Sequence, residues 1–550
     1  MATQNTNISS KYDDIVSRSI RMYAGPPAIY QLRPKKEKFG TLTKMTVGEK
    51  NPNKTNKTIL LVGETGAGKS TLINALFNYS MGVKFEDEVW FQIVEKETGG
   101  DCQSQTTDVI VYEIFGFEDE TLPYSLTIID TPGYGDTKGI ERDVIVSQRL
   151  FDLFRSEDGV HEVHAVGLVM KASENRLSDR QRYIFDSVMS LFGKDLEKNI
   201  VALITHSDGR RPKNALKALN VAKLKCATNK KNEPVHFLFD NCQDEDRTED
   251  ELDELKHSYD VTEKGMYQWM DFITGIEPQQ LGTTVDVLNT RITLIACFNN
   301  LQQRIELIDL KHRKIQQAEE VLKKYEEDLK KDENFTVEVD EIYKEKEPVA
   351  GGIWWYMFFE GAVCCTVCEE NCHYPGCTMA WKPEQCEVMK DGCCIVCTNR
   401  CHASHHVKEK CIYVTKTRKV KKTMEMLKKT YEVKQQENMT LLMVLKKQKE
   451  EHEVEKNHLL DEAYQHVVKL QQIALNVNSV STHIHLDLLI EKMEEKGDTG
   501  KVQKLLAMRS GIDEGVQTML RYCYGKLTSA GKAVREVLNY ASSQQTETPV

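Results

Sequence analysis

Three glycines, a lysine and two closing hydroxyls fall within nine residues, GETGAGKST (63–71), directly behind the apolar run TILLV. Gly63, Gly68, Lys69 and Ser70 occupy every required position of the phosphate-loop pattern GxxxxGK[ST]. Glycines let the backbone turn tightly enough for several N–H groups to face one anion. The candidate cradle is Gly63, Thr65, Gly66, Ala67, Gly68, Lys69, Ser70 and Thr71. Lys69 would reach the β- and γ-phosphates, and the Ser70 hydroxyl would ligate Mg²⁺. The competing reading is a chance glycine-rich turn. Context opposes it, because TILLVG reads as a buried strand and KSTLINALFNYS as the helix whose positive end the phosphate would meet.

This unit constrains the rest. A strand–loop–helix of this kind belongs to a parallel sheet covered by helices. The sequence supplies further strand candidates at 109–117, 124–130, 161–170, 199–205 and 234–241, with amphipathic segments at 140–154 and 177–193 and a helix near 261–275 between or after them. At 550 residues the chain is too long for one core. After Gly282 the strand signal stops. Residues 285–331 are read as helical, with Phe298, Leu301, Ile305 and Ile308 at three- and four-residue spacing and Ile315, Leu322 and Leu329 continuing the seam, which His312, Glu319 and Glu326 interrupt. The expected division is a polar lead-in with at most one short element (1–55), the α/β domain (56–280), a helical or coiled-coil arm (283–335), a Cys/His-rich segment (361–411), a charged helical region (417–541) and a disordered tail (542–550).

The second half of a phosphate site needs a carboxylate to hold Mg²⁺. SLTIIDTPGYGDT (125–137) offers Asp130, and Gly133 adds an N–H for the γ-phosphate. The DTPG arrangement points to guanine rather than adenine nucleotides. A switch threonine is expected before the second strand, at Thr106 or Thr107, and Thr106 is the choice taken; it would join Ser70 and Asp130 at the metal. Lys69, Thr106 and Gly133 form the expected catalytic set. Base recognition needs an acceptor for the guanine N1 and N2 donors, and ITHSDG (204–209) places Asp208 there, with Thr205 and His206 ahead of it. His206 either stacks on the base or is an ordinary loop histidine. Asn241 either contacts the guanine oxygen or flanks the base.

GETGAGKST, DTPGYGDT and THSDG together resemble the septin and GIMAP-like (immunity-associated) P-loop GTPases. DTPGYGD is close to the septin form, and the T-x-x-D base motif to the GIMAP form. The order of G domain, helical arm, Cys/His segment and helical tail resembles a set of large vertebrate proteins abundant in fish. The resemblance implies a Ras-like α/β G domain with a mainly parallel sheet, bound GTP or GDP with Mg²⁺, and G domains that pair or polymerise. It also implicates a switch threonine, here Thr106 or Thr107, in hydrolysis. One departure matters: Tyr134 stands where Ras-like enzymes carry the water-orienting Gln. Slow hydrolysis is expected, with a GTP-binding scaffold that does not turn nucleotide over as the alternative.

Eleven of the 16 cysteines lie between Cys364 and Cys411. CTVCEENCH (365–373) and CIVCTNRCH (394–402) repeat one frame, C-x2-C-x3-C-H. Thiolates two residues apart can converge on one tetrahedral Zn²⁺. The first frame is followed by Cys377 and the second by His405 or His406, His405 being the choice taken. Cys365, Cys368, Cys372, His373, Cys377, Cys386, Cys394, Cys397, Cys401 and His405 suffice for two structural zinc ions, the pairing being open; the alternative is a cluster of free or oxidised thiols. With no signal-peptide core at the N-terminus, a reducing, cytoplasmic setting is expected. The net charge of −11 opposes general nucleic-acid binding. GGIWWYMFFEGAVCC (351–365) is interrupted by Glu360 and reads either as buried or as lying at a membrane surface. The basic run KTRKVKK (416–422) is read as a solvated helix start, phosphate or headgroup contact being the alternative. Expected partners are further copies of this chain, through the G domain and arms, and other proteins.

Overall fold

The computed structural model describes residues 10–39, 42–95, 109–118, 120–132, 140–174, 185, 189–222, 224–331, 336–348, 361–374, 377, 382–423, 426, 441–475 and 480–509. The chain forms two units: Met1–Leu288 with a return segment at Ile473–Val480, and Asn289–Gln472 with Ser481–Arg509.

In the first unit, eight strands form one sheet: β1 (Lys35–Phe39), β2 (Leu42–Val47), β3 (Asn56–Gly63), β4 (Ile110–Ile114), β5 (Ser125–Asp130), β6 (Ala165–Lys171), β7 (Ile200–Thr205) and β8 (His236–Leu238). Their order is β8-β7-β6-β3-β5-β4-β2-β1. Strands β8 through β5 are parallel; β4 runs antiparallel to β5, and β1 antiparallel to β2. The central strands are apolar throughout because both sheet faces are covered, and every residue of β5 and β7 is buried. The covering helices include α1 (Lys69–Ser80), α2 (Ile140–Arg155), α3 (Lys213–Val221) and α4 (Leu252–Gly275). Helix α1 buries Leu72, Ile73, Leu76 and Phe77, and also two asparagines. Asn78 exchanges hydrogen bonds with the Phe91 backbone (3.0 and 2.7 Å), and Asn74 Oδ1 accepts from Ile93 N and Val94 N (2.9 and 3.1 Å). These amides fix the helix to the strand Val89–Gln92 by satisfying backbone groups inside the core.

The lead-in expectation is corrected. Residues 35–47 add two strands to the sheet edge, and Ile20–Tyr23 and Ala28–Gln31 join Val89–Gln92 in a second sheet. Tyr12, Ala28, Tyr30, Leu42 and Met45 are core residues. The exposed Lys-rich β1 closes the edge, where charge discourages further pairing.

The second unit opens on α5 (Gly282–Lys331), most of which belongs to it, and contains α6 (Leu441–Ile473), α7 (Val480–Lys496) and α8 (Thr499–Arg509). Phe298, Leu301, Ile305, Ile308 and Ile315 are buried along α5. Cys297 meets His466, Arg304 pairs with Glu455, and the His312 ring lies 6.1 Å from that of His452. As residue numbers rise on α5 they fall on α6, so the helices run antiparallel.

Between them stand β9 (Val337–Pro348), β10 (Ala362–Cys365), β11 (Glu370–His373), β12 (His406–Glu409) and β13 (Cys411–Lys422). Strands β9 and β13 form an antiparallel ribbon twelve residues long, with Glu341 opposite Arg418 and Pro348 opposite Cys411. KTRKVKK is therefore strand, correcting both the helix start and the charged helix placed from 417. Its cations meet an acidic partner strand: Arg418 and Lys422 pair with Glu341 at 2.6 and 3.1 Å, and Lys416 with Glu345 and Glu347 at 3.0 and 2.7 Å. Each exposed pair contributes about 0–1 kcal/mol, enough in series to fix register and to leave less free positive charge for an anionic surface. Residues 351–360, most of the amphipathic segment 177–193 and the tail beyond 509 lie outside the described residues. Among the described residues no helix is long and apolar enough to cross a membrane.

Candidate functional site

Strand β3 lies where the sheet order reverses, with β6 on one side and β5 on the other, the place where open α/β sheets bind ligands. Its C-terminal end runs into the glycine loop. Gly66 and Gly68 have φ of +79° and +92°, left-handed conformations that a β-carbon would strain. Gly68 precedes α1 and supplies no side-chain cap, so the first N–H groups of the helix face outward to an anion. Lys69 is 7% exposed, and its Nζ donates to Gly63 O (2.9 Å) and Glu64 O (3.2 Å). Burial pushes its pKa down, while Asp130 and Glu64 pull it back up. Ser70 and Thr71 occupy the first turn of α1, half-buried like Thr65, and Ala67 is buried.

Asp130 ends β5, opposite Leu61 of β3, and is fully buried. Its charge reaches the Lys69 ammonium, so loop and carboxylate share one electrostatic site. The next residue fastens the two strands: Thr131 Oγ1 donates to Leu61 O at 2.9 Å. A cation held between hydroxyl and carboxylate would lie beside the cradle, the arrangement that Mg²⁺ on a triphosphate requires.

Beyond β7 the base-side residues separate into two roles. Thr205 is buried, and its Oγ1 donates to Ala67 O at 2.7 Å. It braces the glycine loop. His206 is exposed at φ +52°, with Nδ1 3.1 Å from Thr205 Oγ1. Asp208 is exposed, and its Oδ1 accepts from Arg210 N at 3.0 Å. The loop after β8 is bound to this one, since Ser207 N donates to Phe239 O at 3.1 Å. That brings Asn241 beside the base loop. Thr262 Oγ1 lies 3.3 Å from Asn241 Oδ1, and Asn241 Nδ2 is buried without a hydrogen-bond partner among the described residues. An amide donor left unsatisfied beside an acidic loop fits an acceptor on a ligand. The Thr205 brace has no sequence signature of its own. Thr106, Thr107, Gly133 and Tyr134 lie outside the described residues.

A strand, glycine loop and helix at the switch point of a mainly parallel sheet, with a buried lysine and a buried aspartate together, define a P-loop nucleotide-binding domain of Ras-like topology. Residues 57–264 match the profile of the AIG1 family. It is 26% identical over 156 residues to GTP-binding protein A of Dictyostelium discoideum, covering 28% of this chain and 29% of that protein. It is 38% identical over 82 residues to septin-1 of Rattus norvegicus, covering 14% and 19%. The chain thus spans less than a third of these curated relatives. Among solved structures, Toc33 from Arabidopsis thaliana in complex with Mg²⁺ and GMPPNP is similar at 14% identity and a TM-score of 0.28, covering 41% of this chain and 88% of that one.

The cysteine segment is a second site, in the second unit. Its donors fall into three groups, each with ligand atoms within 4.8 Å of one another: Cys365, Cys368, Cys397 and Cys401; Cys372, Cys394, Cys397 and His406; His373, Cys377, Cys386 and Glu387. Nine of the ten expected ligands are brought together. Between the two candidates for the tenth, the choice of His405 is corrected: His405 is exposed, and His406 turns inward. Strand pairing decides this, since His406 lies opposite Cys365 in the β10–β12 register. Glu387 was not read from the sequence at all; a carboxylate next to Cys386 carries no spacing signal.

The donors fit a cation. Cys368 Sγ and Cys401 Sγ are 3.7 Å apart, and Cys377 Sγ and Cys386 Sγ 3.8 Å. A tetrahedron with Zn–S bonds of about 2.3 Å has edges of about 3.8 Å. His406 Nδ1 lies 3.1 Å from His402 O, while its Nε2 is buried with no hydrogen-bond partner among the described residues. A carbonyl that fixes the tautomer and a free second nitrogen aimed at thiols are the second-shell arrangement of a metal-bound histidine. Hydrogen bonds from Cys372 and Cys397 pull the Cys394 thiol below the ordinary thiol range, and that from Cys386, aided by His373, does the same for Cys377. Acidic sulfurs this crowded share protons or bind a cation.

Proposed function

We propose that this protein is a Mg²⁺-dependent GTPase with slow intrinsic turnover, whose nucleotide state controls self-association or the binding of other proteins. The observation that carries this reading is the burial of both Lys69 and Asp130, within electrostatic reach of each other, beneath a loop braced by Thr205. Main-chain N–H groups from Gly63 to Thr71 hold the phosphates, and Lys69 sits against the β- and γ-oxygens. Ser70, Thr106 and Asp130 would hold Mg²⁺, which when bound supplies charge neutralisation at the phosphates. Gly133 N–H meets the γ-phosphate, and Thr106 acts with it in place of the glutamine that Tyr134 replaces. Asp208 accepts from the guanine N1 and N2 donors, Asn241 Nδ2 donates to the guanine oxygen, and His206 covers the base edge.

The experiment is single-turnover GTP hydrolysis by the full chain at rising protein concentration. A slow rate that climbs with concentration is the expected result, because pairing across the nucleotide face supplies what Tyr134 cannot. Tyr134 also favours a second reading, a scaffold that keeps GTP for stability. Bound GTP that persists unhydrolysed at every concentration would establish the scaffold and remove the enzyme.

Asp208→Asn exchanges one acceptor for a donor against two guanine donors. Loss of such a charge-assisted pair costs about 1.5–3 kcal/mol, or on the order of 10- to 100-fold in GTP affinity, with phosphate binding retained. Competition titrations with GTP and ATP check this; an equal loss for both nucleotides would remove Asp208 from base recognition.

In the second unit the three donor groups hold structural Zn²⁺. All are closed sets of protein ligands, the mark of a structural rather than a catalytic ion.

A further inference from the structure

The three donor groups are not independent, because Cys397 belongs to two of them. Without it, Cys365, Cys368 and Cys401 are three ligands, and Cys372, Cys394 and His406 are three more. Each set needs one further donor to close a tetrahedron, and Cys397 Sγ lies within 4.8 Å of every donor atom in both. A thiolate has lone pairs for two metals. We propose that Cys397 bridges two Zn²⁺ ions in a dinuclear centre of six cysteines and one histidine, with a separate single ion on His373, Cys377, Cys386 and Glu387. The inference rests on the zinc reading above and deepens it, from two ions to three and from isolated sites to a joined pair.

The backbone around Cys397 is built for this. Cys397 N donates to Cys394 Sγ at 3.4 Å, as does Val396 N at 3.3 Å. Cys401 N donates to Cys397 Sγ at 3.3 Å, and Cys368 N to Cys365 Sγ at 3.3 Å. N–H groups aimed at sulfur lower the cost of concentrating thiolate charge in a buried site. Six thiolates against two dications leave a net negative centre. Lys344 stands over its rim, with Nζ donating to Cys368 O and Glu369 O at 2.9 and 2.6 Å. The third group has no residue in common with the other two. Its four donors lie within fifteen residues of chain, 373 to 387, so it closes locally. The bridge instead joins the two CxxC frames, which explains why the same motif occurs twice: each frame supplies ligands to both halves of one centre.

The test is cobalt substitution of the full chain, read by metal analysis and by low-temperature electron paramagnetic resonance. Two Co²⁺ ions joined by one thiolate couple antiferromagnetically, whereas isolated Co²⁺ ions each give a full signal. The expected result is three Co²⁺ per chain with a spin count of about one third of the bound metal, from the lone third site. Cys377→Ser should remove the signal of that site and leave the silent pair bound. Cys397→Ser should lose both ions of the pair, or return their full signal. Bound cobalt with a full spin count in the unaltered chain overturns the bridge and leaves the zinc reading intact. A chain that takes up no cobalt and no zinc overturns both. The spin count needs no variant, so misfolding of a mutant does not decide the matter.

Discussion

Lys69→Ala is expected to lower GTP affinity by on the order of 10²-fold or more, while leaving the fold as stable as before. The ammonium is buried between Gly63 O and Glu64 O, and Asp130 is within electrostatic reach. Facing a triphosphate, it makes charge-assisted contacts to two phosphate groups. Each is worth about 1.5–3 kcal/mol, so together about 3 kcal/mol or more, and every 1.4 kcal/mol is a factor of ten. For the fold itself the sign differs. A buried cation that loses its hydration is a cost, visible in the lowered pKa, and truncating it removes that cost. The measurement is thermal unfolding with and without GTP and Mg²⁺. The unliganded midpoint should stay or rise, and the rise produced by nucleotide should vanish. Lys69→Arg should not rescue, because a planar guanidinium does not fit a cradle shaped around a point charge. An unchanged GTP affinity in Lys69→Ala would remove the phosphate site from this loop.

Chelation should have a comparably large effect, confined to the second unit. The core around the metal groups is small: Ala296, Val363, Val388 and Val396 with the cysteines themselves. That apolar area is too little to order some fifty residues by itself. Structural zinc contributes about 10–16 kcal/mol of apparent binding energy that is also folding energy. Stripping the metal should therefore abolish hydrogen-exchange protection across 361–374 and 382–411. Protection of β3, β5 and β7 and retention of nucleotide should persist, because those strands bury apolar residues on both faces without help from metal. Simultaneous loss in both regions would mean that the two units do not fold separately.

The phosphate loop was legible because its chemistry is local. A tight turn, a helix start and a lysine at fixed offsets are written in consecutive residues, and the strand before them is apolar enough to recognise. The positions of Asp130, at the end of β5, and Asp208, in the loop after β7, were legible for the same reason, each following an apolar run. The brace from Thr205 to Ala67 was not, because 138 residues separate its ends and only sheet order brings them together. The first 55 residues misled through composition. Polar strands such as Lys35–Phe39 lie at an exposed edge, where one face or both need no apolar side chain. KTRKVKK misled through propensity. Lys and Arg favour helix in isolation, and a facing strand rich in glutamate overrides that preference once the register places Glu341 against Arg418.

The sequence by itself determined that a glycine loop with its lysine follows an apolar strand and that Asp130 and Asp208 close later apolar segments, and that fifteen thiol and imidazole donors are crowded into residues 361–411. Tertiary structure alone decided which donors meet. His405 and His406 are chemically identical neighbours; His405 ends the 3-10 turn Ala403–His405 and His406 opens β12, so only pairing with Cys365 selects His406. The sharing of Cys397 between two groups is likewise a fact of folding, since spacing along a chain states which residues can converge and never how many centres they converge upon.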